Sequence, residues 1–163
     1  MTAPPESGIP IILNGTRRTL DVAEETPLLL ALRNHAGLVS VRYGCGLGLC
    51  GACTVLIDGA PGQACVVRTG DVESAEVTTL EGLGTEEDIH PIQQAFLDLQ
   101  AAQCGYCIPG TIMRTAALPQ RDPNPSRQDF RDALDGHLCR CGTHVRILDA
   151  VARAATLRRE VTE

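Results

Sequence analysis

Lysine is missing from this chain. Among 163 residues all 14 basic side chains are arginine, set against 20 carboxylates, for a formal charge of −6. Without a surplus of positive charge the sequence does not read as a binder of nucleic acid or of anionic membrane. The acidity is that of an ordinary solvated surface. Tryptophan is also absent and aromatics make up only 2%: Tyr43, Tyr106, Phe96 and Phe130. A core must therefore be built from Leu, Ile, Val and Ala, which the 44% hydrophobic content permits. Small cores of that kind often need a staple such as a metal site. No apolar run approaches the roughly 18 residues of a membrane span. Residues Met1–Gly8 are polar and Pro-rich rather than a secretory h-region, and no apolar run follows Arg17-Arg18. The expectation is a cytoplasmic protein with no transmembrane segment.

What the chain does have is cysteine, eight of them. In a reducing compartment that count argues for metal rather than disulfides. The first set is Cys45-x4-Cys50-x2-Cys53, followed at a distance by Cys65. This is the plant-type [2Fe–2S] spacing. Three thiolates must point inward from one loop while backbone N–H groups approach the sulfur, and the glycines at 44, 46, 48 and 51 let the chain come that close. Zinc and inert buried thiols are the competing readings; zinc sites favour paired Cys-x2–4-Cys knuckles. Gly46-x-Gly48-x-x-Gly51 also matches a dinucleotide fingerprint, but a cysteine interrupts it and a β-branched run follows where a helix should stand. We reject that reading.

The second set is Cys104-x2-Cys107 with Cys139-x-Cys141. Zinc is the stronger competitor here, because Cys-x2-Cys suits it. A Rieske site fails: Cys141-x2-His144 supplies half of that pattern, no Cys-x-His accompanies it, and His137 precedes Cys139. His137 and His144 read as polar loop residues, and His35 and His90 as surface or capping residues.

Periodicity divides the chain. Residues 1–8 read as a disordered tail. Alternation of Ile9, Ile11 and Leu13, the turn Asn14-Gly15, and Leu20 and Val22 predict strands over about 9–13 and 18–23. Thr26-Pro27 predicts a helix start with Thr26 as its cap, and a helix over 28–35. Thr54–Ile57 before the turn Asp58-Gly59, Ala64–Arg68 and Val77–Leu80 predict further strands. Residues 9–82 thus form a small α+β unit. Around Gly82-Leu83-Gly84 the character changes, and 85–160 reads as helices. Thr85 to Asp88 suggests a capping box, and Ile89, Ile92, Phe96 and Leu99 fall at helical spacing. Pro109 opens a second helix, Pro119–Pro125 is a loop, Ser126 caps a third helix ended by Gly136, and Val145, Leu148, Ala152 and Ala155 mark a fourth. Four such helices suggest a compact bundle. The two loops bearing the second cysteine set could lie at one end of it.

No Ser/His/Asp arrangement, phosphate loop or defensible buried carboxylate pair stands out, so no catalytic residue is assigned. Glu24-Glu25 and Glu86-Glu87-Asp88 read as solvated faces.

Three segments carry a resemblance: Cys45-Gly-Leu-Gly-Leu-Cys50-Gly-Ala-Cys53, Gln103-Cys104-Gly-Tyr-Cys107-Ile-Pro-Gly110 and Leu138-Cys139-Arg-Cys141-Gly-Thr. In this order and spacing they resemble the iron–sulfur subunit of the xanthine oxidase family of molybdenum hydroxylases, over about residues 9–158. Carbon monoxide dehydrogenase, aldehyde oxidoreductase and the isoquinoline and nicotinate hydroxylases share it. The resemblance implies a plant-ferredoxin-like β-grasp domain followed by a four-helix domain, each holding one [2Fe–2S] cluster. It implies a large partner subunit that holds molybdopterin cytosine dinucleotide and hydroxylates an N-heterocycle or oxidises an aldehyde. Gln103 and Cys141 would contact the pterin, and the helical-domain cluster would lie nearest to it. The ferredoxin-like cluster would lie further out and deliver electrons to an FAD subunit or a cytochrome c. Where many relatives continue Cys-Arg-Cys-Thr-Gly, this chain has Cys141-Gly-Thr-His144, a form closer to the branch lacking a flavin subunit. Arg140 would offset cluster charge or pair with the partner. Two alternatives from other classes are a free-standing two-cluster electron carrier and a zinc-stapled interaction module.

Overall fold

A computed structural model describes residues 8–118 and 125–162, with side chains described to residue 157. The expected tail (save Gly8) and most of the expected 119–125 loop lie outside the described residues.

Strands β1 (Ile9–Leu13) and β2 (Thr16–Leu20) form a hairpin about Asn14-Gly15, both in left-handed conformation. Helix α1 (Leu28–Leu30) runs on as a π-helical segment (Ala31–His35). Strands β3 (Thr54–Ile57), β4 (Ala60–Gln63) and β5 (Glu76–Thr78) complete a five-stranded mixed sheet in the order β2-β1-β5-β3-β4. β1 and β5 run parallel and the other pairings are antiparallel. Ile9, Ile11 and Leu13 alternate inward, and with Val55 and Val77 they meet Leu28, Leu29 and Leu32 of the α1 segment. Burial of each such side chain is worth about 1.5–3 kcal/mol, so this aliphatic core needs no large ring.

The second half is helical: α2 (Pro91–Asp98), α3 (Ile108–Ala116), α4 (Arg127–Ala133) and α5 (His144–Thr162). Phe96 and Phe130, the chain's only phenylalanines, sit in its core with Ile92, Ile112, Ile147 and Val151. Arg127 and Asp149 pair at 2.7 Å between α4 and α5. The architecture is α+β: a ferredoxin-like unit, then a helical one. A third apolar cluster joins them, where Met113 and Ala117 pack on Leu56 of β3.

Several local expectations are corrected. Residues 64–68 form a turn rather than a strand. The carbonyls of Ala64 and Val67 instead take the free N–H groups of Leu29 and Leu28 at the start of α1. Those bonds also replace the expected Thr26 cap: Pro27 is the N-cap and no side chain caps the helix. β2 ends at Leu20 rather than near residue 23. Thr85 and Asp88 close a turn, but α2 starts later, with His90 Nδ1 accepting from the Ile92 N–H. Ser126 does cap α4 by accepting from the Asp129 N–H, and the Asp129 carboxylate accepts from the Ser126 N–H in return. α5 is 19 residues long, and its inward face is Ile147, Ala150, Val151 and Ala154, while Val145 is exposed.

Two candidate metal centres

Each cysteine set comes together. In the ferredoxin-like half the thiols of Cys45 and Cys50 interact, as do those of Cys53 and Cys65. In the helical half Cys104 pairs with Cys141 and Cys107 with Cys139. A binuclear iron centre takes four thiolates, and each set brings four thiols within reach of one another. All eight cysteines are free of disulfides.

The first loop turns its backbone toward sulfur. The N–H groups of Leu47 and Leu49 reach Cys45 Sγ at 3.3 and 3.2 Å, and that of Gly48 reaches Cys65 Sγ at 3.3 Å. The Cys45 N–H lies 3.4 Å from Cys50 Sγ. A side chain at Gly44 would put its Cβ 2.7 Å from Cys50 Sγ, so the close approach requires glycine there. The Leu47 and Leu49 amides hold the Cys45 thiol down at about 6. Cys53 is its opposite: burial pushes it up to about 12.

The second set spans two inter-helix loops, Cys104 and Cys107 before and at the start of α3, Cys139 and Cys141 before α5. Burial acts to raise the Cys139 thiol, but hydrogen bonds from Thr143 win and bring it to about 7; the Thr143 hydroxyl is 3.2 Å from the sulfur. The Tyr106 amide lowers Cys104, while burial pushes Cys107 up to about 12. Each set therefore combines thiols that ionise readily with one that ionises only when a cation replaces its proton. Donors aimed at sulfur and buried thiols awaiting a cation fit [2Fe–2S] centres on both counts.

The two sets lie back to back. The Tyr106 hydroxyl donates to the Tyr43 carbonyl, and Arg42 stacks over the Tyr106 ring at 5.7 Å. The Leu138 N–H donates to the Cys50 carbonyl at 3.1 Å. A Cβ on Gly110 of α3 would fall 2.1 Å from the Gly51 carbonyl, so the helix seats directly on the first loop. Gln103, Cys104 and Arg140 are exposed, and Cys141 is half-buried. Sequence reasoning missed Tyr106, Thr143 and His137. The first two had a signal in hand, since both lie inside the quoted cysteine segments. His137 is half-buried rather than a free loop residue; burial, then Arg114, pushes its pKa down to about 4.

This geometry defines a class, a protein with two [2Fe–2S]-binding units. A family described as a 2Fe-2S iron-sulfur cluster binding domain matches residues 11–88, and one described as a [2Fe-2S] binding domain matches 79–152. The chain belongs to the small iron–sulfur subunits of the molybdenum hydroxylases and serves in electron transfer. It is 51% identical over 155 residues to one of the subunits of nicotinate dehydrogenase from Pseudomonas putida, covering 95% of this chain and 99% of that one. It is 47% identical to the alpha chain of isoquinoline 1-oxidoreductase from Brevundimonas diminuta, covering 90% and 97%. Quinoline 2-oxidoreductase from Pseudomonas putida 86 superposes with a TM-score of 0.88 at 35% identity, over 94% of this chain and 96% of that one. Aldehyde oxidoreductase from Desulfovibrio desulfuricans gives 0.90 at 42%, with this chain spanning 94% of itself and 17% of that longer one. These relatives favour a member of a larger complex over a free-standing carrier. No helix among the described residues is long and apolar enough to cross a membrane.

Proposed function

We propose that Cys45, Cys50, Cys53 and Cys65 hold one [2Fe–2S] cluster in unit 9–82, and Cys104, Cys107, Cys139 and Cys141 hold a second in unit 85–160. Together they serve a large subunit that holds molybdopterin cytosine dinucleotide and hydroxylates an N-heteroaromatic substrate. The observation that carries this reading is the ring of backbone N–H groups aimed at the sulfurs of Cys45, Cys50 and Cys65. When bound, each cluster takes up and gives back one electron. The chain's own residues set the conditions for that. Leu47, Gly48 and Leu49 spread negative charge over backbone N–H groups, and Thr143 does so at Cys139.

Gln103 and Cys141 face the pterin, and the ferredoxin-like set delivers electrons to an FAD subunit or a cytochrome c. Support comes from exposure: Tyr43, Leu47, Leu49 and Val66, close in sequence to the first set, are exposed, as are Tyr106, Leu138 and Val145 close to the second. Large apolar side chains gathered at one place on a surface mark contact sites. The substrate class follows the names of the relatives, which act on nicotinate, isoquinoline and quinoline. The chain is placed in the cytoplasm, where its thiols stay reduced until iron is loaded.

Purification under native conditions, with metal analysis, tests the assignment. A complex with molybdenum and four irons per small chain is expected; a coloured 17.3 kDa monomer would favour the carrier. Within that complex, Gln103→Ala is expected to keep its iron and lower turnover of an N-heteroaromatic substrate. Unchanged turnover would remove Gln103 from the pterin site.

A further inference from the structure

The stretch 137–139 carries the second cysteine pair into contact with the first loop. His137 is its inner member. Its ring occupies the space above Gly51, where a Cβ would fall 2.4 Å from the ring. The Thr54 hydroxyl lies 2.8 Å from the Gly51 carbonyl and 3.2 Å from His137 Nε2. A carbonyl only accepts, so the single hydroxyl proton goes to Gly51, and Nε2 must carry a hydrogen and donate to Thr54. That fixes the tautomer and ties the ring to the cluster loop through one defined chain of bonds. The ring is thus placed by this attachment and by packing on Gly51. The next residue, Leu138, has its side chain 64% exposed. Packing therefore does not hold its backbone, yet its N–H meets the Cys50 carbonyl at 3.1 Å.

We infer that His137 is a positioning residue: it holds the Leu138 N–H on the Cys50 carbonyl and so sets the electronic coupling between the two [2Fe–2S] centres. The inference rests on the cluster assignment above. The route from Cys50 through this hydrogen bond to Cys139 crosses no side chain other than those of the two cysteines. The other link between the sets must pass along the whole Tyr106 side chain to Tyr43 and is longer through bonds. One electron leaves the reduced iron pair of one set and reduces the oxidised pair of the other. No proton moves and no bond is made or broken.

The test uses the full iron-loaded chain, reduced with dithionite. Each reduced centre is paramagnetic, and two close centres split each other's EPR lines at low temperature. The wild-type chain is expected to show both signals with mutual splitting; absence of two signals would overturn the cluster assignment itself. His137→Ala is expected to keep both signals and all its iron, narrow the splitting by removing its through-bond part, and slow equilibration between centres after partial reduction. His137→Gln, which returns an N–H donor, is expected to restore the splitting. Both signals present with splitting and equilibration unchanged in His137→Ala would overturn this inference alone. If His137→Ala fails to load, Thr54→Val decides: it removes the acceptor and keeps the shape. Narrowed splitting there supports the role, and unchanged splitting ends it.

Discussion

The two cysteine sets meet one chemical requirement by opposite means. The first is largely a single loop: three of its four cysteines lie within nine residues, and that loop's own amides serve the sulfurs. The second is assembled by packing, from two loops more than thirty residues apart in sequence, and its sulfurs draw on Thr143 and the Tyr106 amide. A site written into one loop depends on local backbone geometry. A site made by packing depends on everything that keeps the helices in register.

The largest effect should come from removing a buried thiol from each set. Cys53→Ala and Cys107→Ala should each lose about half of the bound iron, since two centres share it, and each should erase one EPR signal. Loss of both signals in Cys107→Ala would break the comparison, because the local loop would then depend on the packed one. Next is the seam. Met113 is 1% exposed and bridges α3 to Leu56. Met113→Ala should cost about 2–5 kcal/mol in chemical denaturation, and the helical set should release iron at lower denaturant than the first. Simultaneous release would show that the halves unfold as one.

The smallest effect concerns the ferredoxin-like side alone. Glu81 accepts from the Ser40 hydroxyl, from the Thr79 hydroxyl at 2.6 Å and from the Ser40 N–H at 3.0 Å, bracing the segment that leads into the first loop. Burial acts to raise its pKa, but these hydrogen bonds prevail and lower it. A carboxylate lowered on folding adds stability above its ordinary value of 4.5, and that stability is lost as pH falls through the lowered value. Glu81→Gln should therefore cost about 1 kcal/mol near neutrality, and the difference from wild type should close in acid. A gap that persists in acid would assign the effect to shape rather than charge.

Much of this was legible because it is local. The Asn14-Gly15 hairpin, the strand Thr54–Ile57 and the Ser126 cap all follow from neighbours in sequence. What escaped is decided at a distance. β4 is Ala-Pro-Gly-Gln, a sequence with little strand preference, made a strand only by pairing with β3 at the sheet edge. Val66-Val67 favours a strand by composition, but Cys65 must turn toward the loop and the nearby carbonyls are taken up by α1. His137 sits outside every spacing rule, and its role depends on Gly51 and Thr54, more than eighty residues upstream.

Gly110 abutting the Gly51 carbonyl also joins parts of the chain made at different times. The platform against which α3 settles lies wholly in the part of the chain made first by the ribosome. Were that platform folded by then, the later helices would dock onto a template. Iron delivered early would meet a finished first pocket, while the second would still await its last cysteines.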